Sequence, residues 1–473
     1  MGTINSALSL TTGALDADQA ALSVVANNVA NANTTGYTEE TPNWQENQPI
    51  NVGGIQVGDG VTETGATSQR DRVLEERLDQ QQQLASASST RLTALNSMQA
   101  LFTPDSGSSS STAGDIGSDI TSFFDSFSSL ESDPTDNALR EQVLSSASTL
   151  SGDISSAANS LNAQSAALDQ EASGIVSQVN SLTGAIAQLN LEIQSTSPDA
   201  DAGTLEDQRQ QDLSQLSQLI GINQVSTEDN GLSITTTSGQ LLVSEGQNFQ
   251  LTTGTVNGVT DFFLGGADIT SQLASGGGQL GGYLTARDVD IPGALSSLDQ
   301  LAYSISTSVN AQNNSGTDLD GVTGTVANPL YIFNEPATVA GSAVNMSVIM
   351  ADPNQIAAAS AGSGTGDNSN AVAMASLADQ TIVNGQTPIN YYSNFVSTLG
   401  ATVSEVQTEN TAQNASVTQL LTQNNALSSV NLNDEAAAMS TLESSYQAAS
   451  QVFTLLNTIM ASALNLGEET AVS

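Results

Sequence analysis

The chain predicts an elongated, multi-domain α+β protein, on three observations. Apolar residues at alternating spacings of four and three near both ends predict terminal helices forming a coiled coil. An unbroken run of such positions from Ile154 to Ile193 predicts a helix too long for a compact globule, within a long helical bundle. From about Ile222 the period shortens to alternating runs punctuated by turn residues, which predicts a β-rich outer domain.

The first helix carries Ile4, Leu8, Thr11, Leu15, Asp18, Leu22, Val25 and Val29 on its seam, and should stop within Asn31–Gly36, where Asn, Thr and Gly favour turns. The last helix carries Leu432, Glu435, Met439, Leu442, Tyr446, Ala449, Phe453, Leu456, Met460 and Ala463. Asn433 or Asp434 is its expected cap and Gly467 its expected end. Thr11 and Asp18 leave the first seam too polar to fold alone, so the ends are expected to order only against a partner.

The central run places Ile154, Ala158, Leu161, Ser165, Leu168, Ala172, Ile175, Val179, Leu182, Ile186, Leu189 and Ile193 on one face. A helix from about 137 to 194 would be on the order of 85 Å long. Further seams at Leu74, Leu78, Leu92 and Leu95, at Leu295, Leu298, Ala302, Ile305 and Val309, and at Tyr392, Val396, Leu399, Val403 and Val406 complete the bundle. Asp229-Asn230-Gly231 and Val256-Asn257-Gly258 are type I′ hairpin signals. Residues 313–382, rich in Gly, Asn and Ala with a strand-like run at Ala343–Met350, are expected to join the same β region. The Ser- and Gly-rich stretches 106–112 and 360–370 read as loops.

This order nests the chain into three units. The terminal helical unit takes 1–56 with 428–473; the bundle takes 57–220 with 278–312 and 383–427; the β-rich domain takes 221–277 with 313–382. Gly36, Gly58 and Gly60 are the expected hinges, and Thr41–Pro49, with Trp44, an extended linker.

Composition narrows function by exclusion. Against 49 acidic residues stand 7 basic ones, all arginine, giving a net charge of −42. Such a chain repels nucleic acid, which is bound through Lys and Arg on phosphates, and anionic membranes for the same reason. There is no Cys, His or Lys, which removes thiolate, imidazole and Schiff-base chemistry and the N and S ligands of zinc. Composition leaves open carboxylate-pair chemistry and oxygen-only Ca²⁺ or Mg²⁺ sites, but no residue is singled out as catalytic, metal-ligating or cofactor-binding. Asp318-Leu-Asp-Gly321 lacks the third acid and closing Glu of a Ca²⁺ loop and reads as a turn. The first 22 residues have no basic n-region or sustained apolar core, so no secretory signal peptide is expected. No apolar run approaches the roughly 18 residues of a membrane span.

Asn27-Asn-Val-Ala-Asn-Ala-Asn-Thr-Thr-Gly-Tyr37 resembles the N-terminal signature of the flagellar axial proteins, the family of rod, hook and hook-associated subunits. Val430-Asn-Leu-Asn-Asp-Glu-Ala-Ala437 with Tyr446-Gln-Ala-Ala-Ser450 is similar to its C-terminal signature. Val57-Gly-Asp-Gly-Val61, Ser132-Asp-Pro-Thr-Asp136, Leu205-Glu-Asp-Gln-Arg209, Gln279-Leu-Gly-Gly-Tyr-Leu284 and Arg287-Asp288 narrow the likeness to the hook-associated members.

The resemblance implies a structural subunit and not an enzyme: a homo-oligomeric ring between hook and filament, in contact with the hook protein and a second junction protein. It further implies export by the flagellar type III system, a dedicated export chaperone bound near the C-terminus, and an extracellular place on the flagellum. The assembly interface would then be Ile4, Leu8, Leu15, Leu22, Val25, Val29, Leu432, Met439, Leu442, Tyr446, Phe453, Leu456 and Met460. The alternatives are another axial protein, of hook or distal rod, and an acidic extracellular adhesin. A carboxylate-dependent glycosidase has only abundant acids in its favour.

Overall fold

The computed structural model describes residues 2–52, 54–103, 115–196, 201–256 and 258–469. The chain opens with α1 (Gly2–Asn31), then strands β1 (Glu40–Glu46), β2 (Ile50–Val52), β3 (Ile55–Val57) and β4 (Val61–Ser68). Helices α2 (Arg72–Ala100), α3 (Ile116–Leu130), α4 (Asn137–Thr196) and α5 (Thr204–Leu219) follow. Next come strands β5 (Ile222–Ser226), β6 (Leu232–Thr236), β7 (Leu241–Ser244), β8 (Gln247–Asn248), β9 (Leu251–Val256), β10 (Val259–Leu264) and β11 (Ala267–Asp268). Short helices α6 (Thr270–Ala274) and α7 (Gly278–Thr285) lead through a π-turn, Ala286–Asp290, into α8 (Ile291–Asn314). The irregular stretch after it holds β12 (Gly316–Thr317), α9 (Ser342–Asn345), β13 (Ala359–Ser360) and α10 (Ser369–Ser376). Then α11 (Pro388–Ser428) and α12 (Leu432–Glu469) close the chain.

The spine is α4, 60 residues long and so about 90 Å from end to end. Its apolar face is buried along its length, from Ile154 and Leu161 through Val179 to Ile193. Two separate cores form on it. Around its N-terminal half, α3, α8, α11 and the second half of α2 bury Phe123, Phe127, Leu150, Ile154, Leu298 and Ile305. Around its C-terminal half, α5, α7 and the strands bury Val179, Ile186, Leu216, Ile234 and Phe262. The strands form antiparallel sheets in the orders β5-β6-β7-β8 and β11-β10-β9.

Turn chemistry places the first hairpin one residue earlier than the Asn-Gly signal. Asp229 and Asn230 take the left-handed conformation (φ 55° and 56°), and the Gly231 N–H donates to the Glu228 carbonyl at 3.0 Å. Asn257 of the second hairpin and the stretch 106–112 lie outside the described residues.

Residues 313–382 depart from expectation. They contribute only two-residue strands, Ala343–Asn345 belongs to α9, and Ile332, Phe333, Met346 and Ile356 enter the first core, whereas 221–277 builds the second. Buried polar side chains substitute for a sheet ladder here. Asn310 Oδ1 accepts from the N–H groups of Ile332 and Phe333, both at 3.0 Å, and Asn313 Oδ1 from that of Ala357 at 2.9 Å. Asp299 accepts from Gly341 N–H at 2.9 Å and Ala343 N–H at 2.8 Å. The Arg140 guanidinium, 1% exposed, donates to the carbonyls of Pro134 and Ile356, each at 2.6 Å. An irregular segment whose backbone groups are met by side chains can sit in a core without strands.

Other local expectations shift. Thr41–Pro49 is largely strand: β1 pairs antiparallel with β4, carrying half-exposed Trp44, and β2–β3 forms a hairpin beyond it. The cap of α12 is Asn431, whose Oδ1 accepts from Asn433 N–H at 3.1 Å, and the helix runs through Gly467 to Glu469. In the Asp318 turn, Oδ1 accepts from the N–H groups of Asp320 and Val322, which closes the loop on itself.

Candidate assembly interface

Helix α1 packs along α12 on one side and against the β1–β4 ribbon on another. Its buried residues are Thr11, Ala17, Ala21, Val25 and Asn28. Of the expected seam, only Thr11 and Val25 fall on that face. Ile4, Leu8, Leu15 and Leu22 are half-buried and Val29 is exposed. At 3.6 residues per turn the buried face is rotated by roughly a quarter turn from the heptad stripe. The reason is the second partner: a heptad reading assumes one facing helix, whereas the ribbon covers a neighbouring face.

On α12 the expected stripe is nearer the mark. Met439, Leu442, Phe453, Leu456 and Met460 are half-buried, while Leu432 and Tyr446 are exposed. Glu435, the charged exception in the heptad pattern, is buried.

Asn28 explains that burial. Its Nδ2 donates to Glu435 Oε1 and to the Glu40 carbonyl, both at 2.8 Å; its Oδ1 accepts from Tyr37 Oη at 2.8 Å and Glu40 N–H at 3.0 Å. Every hydrogen-bonding direction of the amide is thereby used. Around it, Asn31 Nδ2 donates to Asn27 Oδ1 at 2.8 Å, and Thr34 Oγ1 to Asn31 Oδ1 at 3.2 Å. The polar residues of the N-terminal signature thus form one network that turns the chain from α1 into β1 and ties both to α12. Burial raises the Glu435 carboxyl above its ordinary range, with the Asn28 bond opposing. Burial, reinforced by Glu40, raises the Tyr37 hydroxyl.

The expected hinges separate. Gly36 takes a left-handed conformation (φ +82°) in the turn after α1. Gly58 and Gly60 lie between β3 and β4, with Gly60 against Leu10 of α1, and so sit inside the terminal unit. Passage into the rest of the molecule occurs elsewhere, at Gln69–Asp71 and Ser429–Asn431.

A feature the heptad reading missed is a second apolar stripe on α12. Val452, Leu455 and Ile459 lie three and four residues apart, which places them on one helix face. They are 49%, 61% and 45% exposed. The doublets Val452-Phe453, Leu455-Leu456 and Ile459-Met460 were the available signal: two adjacent stripes, one for α1 and one left open. Among the described residues no group of His, Cys, Asp and Glu could hold a metal ion, and no helix is long and apolar enough to cross a membrane.

Residues 8–38, which include Asn28, Asn31 and Tyr37 of the network, match the family model described as flagella basal body rod protein; residues 105–326 match that of the flagellar hook-associated protein FlgK helical domain. The terminal helix pair and these matches define a structural protein of the flagellar axis. The chain is 26% identical to flagellar hook-associated protein 1 of Salmonella typhimurium, over 96% of this chain and 98% of that one. It is also 26% identical to the Bacillus subtilis protein of that name, over 96% of each. The flagellar hook junction protein FlgK from Burkholderia pseudomallei shares the fold, with a TM-score of 0.64 at 18% identity, over 74% of this chain and 99% of that one. Over nearly its whole length, therefore, this chain is similar to flagellar hook-associated protein 1, and its middle to the helical domain of that protein.

Proposed function

We propose that the chain is the subunit that joins hook to filament in the bacterial flagellum, assembled with other axial proteins into a ring of like copies. The observation that carries this reading is the uncovered stripe Val452, Leu455 and Ile459 beside a terminal helix pair already closed by its own seam. Exposed apolar side chains on a helix gain most when a neighbouring copy covers them. On this reading α1, β1–β4 and α12, reaching beyond the expected 1–56 with 428–473, form the polymerising unit, and the half-buried heptad residues of α1 and α12 help to hold the pair that presents the stripe. The hook protein and a second junction protein are its neighbours along the axis. Export by the type III system to the cell exterior, with a chaperone on the C-terminal helix before assembly, belongs to the same proposal.

Deletion of the gene, followed by electron microscopy of the cells, tests it. The expected result is hooks without filaments and filament subunit free in the medium. Normal filaments on the deletion strain would overturn the proposal.

A further inference from the structure

The terminal unit and the rest of the molecule share no apolar core. Neither hydrophobic cluster includes a residue of α1, β1–β4 or α12, and among the described residues no helix or strand packs extensively across the joint. What crosses it is polar. The geometry points to the acidic segment Asp201–Asp207, at the start of α5, as a latch that fixes the orientation of the terminal unit and can open without unfolding either side.

The segment clasps the terminal unit at two places. Asp201 Oδ2 accepts from the N–H and Oγ of Ser68, the last residue of β4, at 2.6 and 2.5 Å, while its Oδ1 is braced by Gly203 N–H at 2.9 Å. Asp207 Oδ2 accepts from Thr38 N–H, just before β1, at 3.1 Å, and Oδ1 pairs with the Arg70 guanidinium. Glu206 holds the adjoining Arg72 through both oxygens, at 3.1 and 2.9 Å. The two clasped segments are joined by Gln69 N–H to the Glu39 carbonyl at 2.7 Å, and Glu39 N–H reaches the Ser428 carbonyl, at the end of α11, at 2.8 Å. Behind the latch, α5 is rooted in the second core through Leu213 and Leu216. The jaw is rigidly mounted, and what it grips is held by hydrogen bonds and ion pairs alone.

Such contacts exchange readily with water, whereas apolar burial does not, so the joint is a point of low resistance between the terminal unit and the body that holds the two cores. Two covalent passages, 69–71 and 429–431, remain when the latch opens. The terminal unit then stays attached but free to take another angle. The latch is a property of the single chain and stands whether or not the chain assembles into a ring.

Hydrogen exchange and small-angle scattering on the full-length protein test this. In the unmodified protein, the Thr38 and Ser68 amides are expected to exchange through openings that leave the amides of α3 and α4 protected; exchange only together with those helices would overturn the latch. In Asp201→Ala/Asp207→Ala the two joint amides are expected to exchange about tenfold faster or more, the loss of a charged hydrogen bond being worth at least that factor. The scattering curve should broaden to larger dimensions, with α3 and α4 unchanged. Asp201→Asn/Asp207→Asn, which keeps an acceptor oxygen at each position, should restore most of the compact scattering. Unchanged exchange and scattering in the alanine variant would show that orientation is set elsewhere.

Discussion

Asn28 on α1 and Glu435 on α12 are joined by a 2.8 Å hydrogen bond across a sequence separation of 407 residues. The bond is buried, and the same amide holds Tyr37 and both backbone groups of Glu40. Asn28→Ala is therefore expected to destabilise the terminal unit by about 2–4 kcal/mol, since it leaves buried acceptors and donors without partners. The loss should show as faster amide exchange in α1, with α3 unaffected. Protection in α1 equal to that of the unmodified protein would contradict it.

The open stripe makes the opposite prediction. Val452→Ser, Leu455→Ser and Ile459→Ser together should leave the thermal midpoint of the monomer nearly unchanged, because exposed positions outside caps and cores typically contribute within about 0.5 kcal/mol each. Complementation of a deletion strain with this triple variant should fail to restore filaments. A monomer that melts much earlier would show that the stripe is covered within the chain itself.

Arg140 carries a larger cost. Its guanidinium is the bridge from Pro134 to the 353–356 segment, with donors on the carbonyls of Pro353, Asn354 and Ile356. Arg140→Ala is expected to cost about 3 kcal/mol or more, through orphaned carbonyls and a void beside α4. Denaturant unfolding, read at fixed pH, measures it directly.

Stability should also fall as pH rises toward neutrality. Burial raises Glu75 to about 7 from 4.5, with Arg70 opposing and Asp79 adding to the rise. Burial likewise raises Asp79 to about 6 from 3.8, against hydrogen bonds from Gln210 and Gln224. The native state therefore binds more protons than the unfolded chain between about pH 4 and pH 7, and stability is lost as pH rises through that window. For Glu75 alone the effect is on the order of 3 kcal/mol at most. Denaturant midpoints at pH 5 and pH 7.5 should differ accordingly, and Glu75→Gln should shrink the difference. An equal slope in the variant would place the effect in other carboxyls.

The sequence was most legible where one face met one partner. The 60-residue span of α4, and the seams of α2, α8 and α11, follow from apolar periodicity because each helix buries one continuous stripe, that of α4 running across both cores. It misled where side chains do what backbone usually does. Gly, Asn and Ala in 313–382 suggest turns and strands, yet Asn310, Asn313, Asp299 and Arg140 supply the hydrogen bonds that a sheet would have provided. The heptad stripe of α1 was displaced for a related reason, since two partners, helix and ribbon, compete for its surface.

By itself the sequence determined the long helices α1, α2, α4, α8, α11 and α12, the acidic and Lys-free composition, and the two terminal signatures, all of which depend on residue type and local spacing. Only the tertiary structure decided that Asn28 seeks Glu435, that α4 carries two cores, and that the terminal unit rests on a polar joint at Asp201 and Asp207. Those relations join residues far apart in the chain, and no local periodicity records which distant group will be brought within hydrogen-bonding reach.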